Sequence, residues 1–578
     1  MIVFRKQEKL LNTRERLISI RKIIQNLDCG KPDHQAIVEL LIEFAELESA
    51  VTDVFCMERD DLHELLSPLR ELSILNGLLL YHSWAGKAES LPRTIRRIQN
   101  LFEKIMDLDL PKSICIRVSE GFIHYGIFPE IYARAAERFH CNTQPSRVVC
   151  IGIRSIGTAL SAVVGSVLQE LGSKIDSLTL RPRGHPFDRK ILLSDRLEFF
   201  LKSLSNKNAY YLVIDEGPGL SGTSLCATAQ KLSELGIEDS RIVLFPCWEP
   251  DGEDFVSEIA KKRWGLHAKY STTFEEVWLN SDKLNSVLPS PNIQDISAGN
   301  WRSILFQETA QSPAVHHHHE QRKYLSVENG HRWLVKFAGL GRYGRIKRDR
   351  LATLASTGTV PPPVGFAHGF LVTPFHNGRP FLPGSVIRKD FIHTIADYLA
   401  FIHHSFSNGE RVSSDEMLQM IRTNIHEGLG EEWVRRIDTM DFRRCFDDSI
   451  PVQIDGRMFP HEWICTENGY IKADSVDHHI DQFFPRTQDS AWDLAGTCIE
   501  FGFDRNQKDY LIDRFQSLTK DRYIRWKLPF YSIAYLAFRL GYSSLCSESL
   551  GTSEDGIKFT RMSERYRTSL KRLILLHT

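Results

Sequence analysis

The sequence predicts an α/β multidomain protein: a helical amino-terminal segment, an open parallel sheet flanked by helices, then an α+β unit. Three observations predict it. Apolar residues recur at helical spacing through roughly the first hundred positions, as in Ile37, Leu40, Leu41, Phe44 and Leu47. Short β-branched runs then alternate with small-residue turns and amphipathic stretches: RVVCIGI at 147–153, YYLVID at 210–215, RIVLFPCW at 241–248. Such alternation builds a parallel sheet covered by helices. Beyond residue 322 strands come first, around Trp333–Phe337 and Phe370–Thr373, and mostly helices follow.

At about 150 residues per domain, 578 residues predict three or four units. The expected boundaries are 1–110 for the helical segment, 111–288 for the parallel sheet, 289–321 for a linker, and 322–578 for the last unit. The linker stretch holds Pro289, Pro291, Gly299, Pro313 and the run His316–His319. Lys plus Arg at 72 against Asp plus Glu at 73 leaves a formal charge of -1, so no global field draws the chain to nucleic acid or an anionic membrane. Its basic stretches lack interleaved aromatics, which also disfavours nucleic acid; small molecules are the expected partners, and the oligomeric state is left open. Eleven cysteines without a C-x-x-C pair fit a reducing cytosol. The most apolar stretches, Leu72–Tyr81 and Leu528–Phe538, are too short to span a bilayer, so no membrane role is expected.

The sharpest local feature is YLVIDEGPGLSGTS at 211–224, an apolar strand running into two acids, a glycine-rich turn and a helix start. In an open α/β sheet ligands sit beyond the carboxyl ends of strands, where turn amides and helix amino termini face outward. Gly217, Gly219 and Gly222 allow several N–H groups to converge on one anion, and Ser221, Thr223 and Ser224 add hydroxyl donors. Asp215 and Glu216 beside that cradle suit a sugar phosphate, since carboxylates accept from ribose hydroxyls.

Leu212–Thr223 resembles the phosphoribosyl-diphosphate (PRPP) motif of type I phosphoribosyltransferases. The resemblance implies ribose contacts for Asp215 and Glu216, and 5'-phosphate contacts for Ser221, Gly222 and Thr223. Leu220 and Ser221 depart from the residues usual there. Upstream, RVVCIGIRSIGTALSAVV at 147–164 resembles the family's diphosphate loop, with Arg154, Ser155 and Gly157 as candidate contacts. TLRPRGHPFDRK at 179–190 resembles its mobile loop, where Arg181, Arg183, Arg189 and Lys190 are candidate diphosphate ligands or a solvated basic loop. SEGFIHYGIFPEIY at 119–132 is a candidate hood, with Glu120, His124, Tyr125 and Trp248 as candidate acceptor contacts or ordinary core. Departing diphosphate is usually bound to Mg2+, so the protein's task would be to position and to stabilise charge.

In the last unit, HRWLVKFAGLGRYGR at 331–345 places Lys336 on a strand followed by Gly339, Gly341 and Gly344. PVQIDGRMFPHEWICTENGYIKADSVDHHIDQFFPRTQDSAWDLAG at 451–496 reads as a catalytic loop, a hairpin around Asn468-Gly469, a strand ending in Asp474 and a helix opening at Trp492. Together they resemble the aminoglycoside phosphotransferase and choline kinase-like family over residues 322–575, which implies a two-lobed kinase-like fold with ATP and Mg2+. Carried over, Lys336 would contact nucleotide phosphates, Asp455 would be the catalytic acid/base, Asp474 the metal ligand and Asp493 a brace. The family's His-Gly-Asp is Gln453-Ile454-Asp455, and its loop Asn falls at Pro460 with His461 next as a substitute metal ligand. No Glu pairs convincingly with Lys336 in RDRLATLAS. The group Asp474, Asp477, His478, His479 and Asp481 is weak as a zinc site.

The expected function is therefore a Mg2+-dependent phosphoribosyltransferase using PRPP, fused to a divergent small-molecule kinase-like domain. The alternative is a non-catalytic PRPP- or nucleotide-sensing effector, in bacterial stress or defence, with a pseudokinase half.

Overall fold

The computed structural model describes all residues except 6–7, 29–31, 186–187, 219–221, 254, 256, 282, 286–287, 308–310, 383, 408–412, 441 and 578. Four helices open the chain: Thr13–Asp28, α1 (His34–Phe55), α2 (Leu66–Trp84) and Leu91–Met106. Asp33 caps α1, its carboxylate accepting from Gln35 N at 3.3 Å and satisfying a donor the helix leaves orphaned. From Ile37 to Thr52 α1 is buried all round, Glu39, Glu43, Glu46 and Glu48 included. Buried carboxylates require partners. Arg70 of α2 takes Glu48 at 3.2 Å, Arg16 and Arg342 share Glu43 and Glu46, and Arg345 takes Glu39.

β1 (Arg147–Ile153), β2 (Lys174–Leu180), β3 (Tyr210–Ile214), β4 (Ile242–Phe245) and β5 (Ala268–Lys269) form one parallel sheet in the order β2-β1-β3-β4-β5. Alternate residues serve opposite faces. Val148, Cys150, Leu212 and Ile214 join α3 (Ile156–Glu170) in one core, while Val149, Ile151, Tyr211 and Val213 join α4 (Thr223–Glu234) in another. The opening helices lie on α3. At Gly77 of α2 an added Cβ would stand 2.6 Å from Ala162 O, so the two backbones cross at a distance only glycine permits.

The second sheet is antiparallel: β6 (Ile293–Asp295), β7 (Lys323–Glu328), β8 (His331–Phe337), β9 (Gly365–Ala367) and β10 (Phe370–Pro374), in the order β6-β7-β8-β10-β9. α5 (Arg342–Ala355) follows β8. A helical lobe completes the chain, including Lys389–Ser405, Ser414–Leu429, α6 (Ala491–Glu500), Arg505–Thr519, α7 (Ile524–Leu550) and α8 (Glu554–His577). Between sheet and lobe runs a long loop carrying the hairpin β11 (Trp463–Thr466) and β12 (Gly469–Lys472).

Hydrophobic burial divides the molecule differently from the sequence boundaries. One core contains Leu17, Phe44 and Leu79 from the opening helices, Val148 and Leu212 from the parallel sheet, and Val335, Phe337 and Phe370 from the second sheet. Residues 1–110 thus belong to a shared core, and the stretch read as a linker supplies the edge strand β6. The helical lobe holds a separate core, onto which Val3 reaches: Phe484 N donates to Val3 O at 3.0 Å. Among the described residues no helix is long and apolar enough to cross a membrane, and the ten described cysteines are free thiols.

Candidate functional site

A cavity of about 750 Å³ lies between the second sheet and the helical lobe, within the size range of small-molecule sites. Strand alternation aims Lys336 at it: Val335 and Phe337 are fully buried in the shared core, so Lys336 between them points from the opposite face. Its Nζ lies 3.0 Å from Asp474 Oδ1 and also pairs with Asp477. Asp477 has a second cation, Lys347 of α5, at 2.9 Å. Where a Glu on the helix was sought for Lys336, the residue facing the site is a lysine, and the loop provides the acid. The glycine-rich turn after Lys336 is tacked to the first half, Leu340 N donating to Phe122 O at 2.9 Å.

Glu462, Asp474 and His478 offer ligand atoms within 4.8 Å of one another, the one such group among the described residues. Glu462 accepts from Lys472 at 2.8 Å and pairs with Arg457, which also reaches Asp474 at 3.2 Å. Burial works to raise both acids and is outweighed: Arg457 and Lys472 hold Glu462 at about 2, and Lys336 and Arg457 hold Asp474 well below the usual carboxylate range. Sequence reasoning missed Glu462, because it stands two residues beyond the position where the family spacing puts the loop Asn. A candidate acid set in a turn just before the β11 strand, WICT, was the available signal.

The other carried-over residues fall behind or beside this cluster. Asp493 accepts from Asp455 N at 2.8 Å and Gly456 N at 2.9 Å, a brace for the loop. Asp455 itself is buried: Tyr398 donates to Oδ2 at 2.5 Å, Arg457 N to Oδ1 at 3.2 Å, and Lys472 lies 3.6 Å away. Gly456 and Arg457 line the cavity; Asp455 is enclosed behind them. His461 lines the cavity but is not in the three-ligand cluster; its ring stacks on Phe459 at 5.2 Å and Trp301 at 6.0 Å, and burial lowers it to about 4. His316, His318 and His319 form part of the cavity wall, with His316 and His319 stacked at 3.9 Å. His124 and Tyr125, read as hood residues of the first half, also line this cavity.

At the parallel sheet, Asp215 and Glu216 follow β3 at its carboxyl end. The segment after Ser119 closes on them: a Cβ at Gly121 would meet Glu216 Oε2 at 2.5 Å. Trp248 covers Gly217, its indole nitrogen 3.0 Å from a Cβ there. Gly157 lets the first turn of α3 pass Ile214 O, and Gly222, with φ 63°, starts α4 against Phe255. Ser155 has φ 122°, a conformation rare outside glycine. Thr223 is buried and Ser224 half-buried at the head of α4; Gly219 and Ser221 lie outside the described residues. Of the four arginines expected to hold diphosphate, three are engaged by acids of the opening helical segment, while Arg189 donates to Gly184 O at 2.7 Å and Lys190 lies 3.8 Å from Asp188. Arg154 pairs with Asp53 at 2.8 Å and with Asp60, Arg181 with Asp53, and Arg183 with Asp60 at 3.2 Å. Sequence spacing pointed to the arginines but not to carboxylates more than ninety residues upstream.

Burial pushes Asp215 up to about 7 and, with repulsion from Asp215 and Glu120 added, Glu216 up to about 8. The folded state therefore holds protons that the unfolded chain releases near pH 4, and stability falls as pH rises through 7 to 8. Glu216→Gln is expected to raise the melting temperature at pH 9 and to change it little at pH 5. Equal shifts at both values, in melts followed by circular dichroism, would reject this assignment.

No protein-family profile and no curated protein matches the chain. Among solved structures, choline kinase LicA from Streptococcus pneumoniae is similar at 17% identity over 47% of this chain and 96% of that one, with a TM-score of 0.34. An ethanolamine kinase from Plasmodium vivax (11%, 59% and 93%, TM-score 0.33) and macrolide 2'-phosphotransferase MphH from Brachybacterium faecium (12%, 50% and 98%, TM-score 0.31) are also similar. The second half of this chain combines an antiparallel sheet carrying an inward lysine, a helical lobe and an acid-bearing loop.

Proposed function

We propose that the second half is a phosphotransferase that moves the γ-phosphoryl group of ATP to a hydroxyl of a small molecule. The observation that supports it is the meeting of Lys336 and Asp474 at 3.0 Å on the cavity wall, a phosphate-binding cation beside a metal-binding acid. Asp474 and Glu462 would hold the divalent ion. Two ionised carboxylates fit hard Mg2+, while the His478 imidazole is a softer third donor. Bound there, the ion would neutralise charge on the phosphate oxygens. The chain's own residues do the rest. Lys336 turns from Asp474 and Asp477 to the nucleotide, and Asp493 keeps the loop in place. In the transfer the acceptor oxygen bonds to phosphorus, the bond to ADP breaks, and the hydroxyl proton passes to a base. Asp455 would serve as that base once Tyr398 and Lys472 release it.

ATP is expected to raise the melting temperature of the full chain only with Mg2+ or Mn2+ present, and Lys336→Met to weaken that binding about tenfold or more. ATP binding indifferent to both EDTA and Lys336→Met would overturn the reading.

A second reading concerns the parallel sheet. Its strand order reverses between β1 and β3, and at that crevice stand the acids Asp215 and Glu216 and the left-handed Ser155. These favour a phosphorylated pentose such as PRPP as ligand. With Arg154, Arg181 and Arg183 held by Asp53 and Asp60, the present arrangement suits binding in the manner of a sensor as well as turnover. Diphosphate release from PRPP and mixed bases with Mg2+ would favour the transferase; PRPP binding without release would favour the sensor.

A further inference from the structure

We propose that the cavity of the second half takes a substrate carrying an anionic group, carboxylate or phosphate, seated on Arg539. Arg539 belongs to α7 and lines the cavity although it is only 5% exposed. Among the described residues it forms no ion pair. Its Nε has no hydrogen-bond partner, and Tyr566 is its side-chain hydrogen-bond partner. Glu500, the carboxylate of this region, is taken up by Tyr535 at 2.8 Å, Tyr566 at 2.7 Å and Arg565 at 2.6 Å.

Instead of an acid, Arg539 has aromatic faces: Phe459 at 4.6 Å, Tyr542 at 5.0 Å, Tyr566 at 5.6 Å and Phe538 at 6.0 Å. Ring faces recover part of the cost of burying a cation. They do not take up the Nε–H donor, which has no partner, and a guanidinium edge presenting Nε–H matches the two oxygens of a carboxylate or phosphate. An unpaired buried charge beside a cavity of about 750 Å³ is a seat for the opposite charge.

Position relates the seat to the chemistry. The Arg457 guanidinium, which reaches Asp474 at 3.2 Å, lies 5.6 Å from the centre of the same Phe459 ring that Arg539 covers. The anion seat is therefore one aromatic ring away from the acids proposed to hold the metal. A compact substrate can place its anionic end on Arg539 and its hydroxyl near Asp474. Which end reacts rests on the phosphotransferase reading; the anion seat does not.

The test uses the full chain and calorimetric titration with phenyl phosphate, phenylacetate and neutral benzyl alcohol, beside ATP with Mg2+. Either anion is expected to bind better than benzyl alcohol, and Arg539→Gln to weaken it about tenfold or more. Arg539→Lys should lose less, and ATP binding should be unchanged in both. The stronger of the two anions identifies the seat as one for phosphate or for carboxylate. Because Arg539 forms no ion pair, and Glu500, which acts on it from a longer range, keeps Tyr535, Tyr566 and Arg565, Arg539→Gln should melt close to the wild type. Anions that bind wild type and Arg539→Gln equally, or no better than benzyl alcohol, would overturn the proposal, as would an Arg539→Gln chain that melts lower and keeps anion affinity. Failure of ATP to bind while the anions do would reject the phosphotransferase reading and leave the seat standing.

Discussion

Asp474→Asn is expected to lower ATP-dependent phosphotransfer by about a thousandfold while leaving the chain folded. Asp474 is the acid shared by Lys336, Arg457 and the proposed metal ion. Removing its charge takes away a cation ligand, yet neither basic neighbour is stranded: Lys336 keeps Asp477 and Arg457 keeps Glu462. The loss of rate should thus far exceed the loss of stability. ADP release and a thermal melt on the same preparation check both halves of the statement. Turnover that survives the substitution would move the metal to another set of ligands.

Arg154→Met is expected to destabilise the first half by about 1.5–3 kcal/mol, because the buried Asp60 and the half-buried Asp53 lose their shared cation and keep only Arg183 and Arg181. The Arg154 side chain is wholly buried, and burial works against its charge, but Asp60 and Asp53 raise it all the same. A unit of 150–250 residues loses roughly 2–4 °C per kcal/mol, so a melting shift on the order of 5 °C is the readout. Arg154→Lys, which keeps the charge but not the fork, should fall between. If Arg154→Met melts like the wild type and abolishes PRPP binding, the arginine serves a ligand and not the fold.

The strands were legible because their signals are local. RVVCIGI, YYLVI and the stretch around Trp333–Phe337 fold as read, each a short run of consecutive β-branched and aromatic residues that favours an extended chain. Lys336, Asp474 and Asp493 are singled out by the resemblance to the kinase-like family, as a strand lysine, a loop acid and an acid at a helix start. Glu462 and Lys347 escaped, since each replaces an expected residue with one of different type or spacing. Arg539 escaped for another reason: nothing in the helix FYSIAYLAFRLGY marks its arginine as lacking an acid until four rings gather around it.

Periodicity and composition alone determined that this chain would contain a parallel sheet, a second sheet and a helical lobe, because hydrophobic spacing is a property of consecutive residues. Only the tertiary structure decided how charge is shared among them. Glu39, Glu43 and Glu46 of α1 meet Arg342 and Arg345 of α5 across some three hundred residues, and Asp53 and Asp60 take three of the arginines read as candidate diphosphate ligands. A buried charge must find its opposite wherever the fold brings one near. That Arg539 forms no ion pair and stands open to a ligand is a fact about three dimensions.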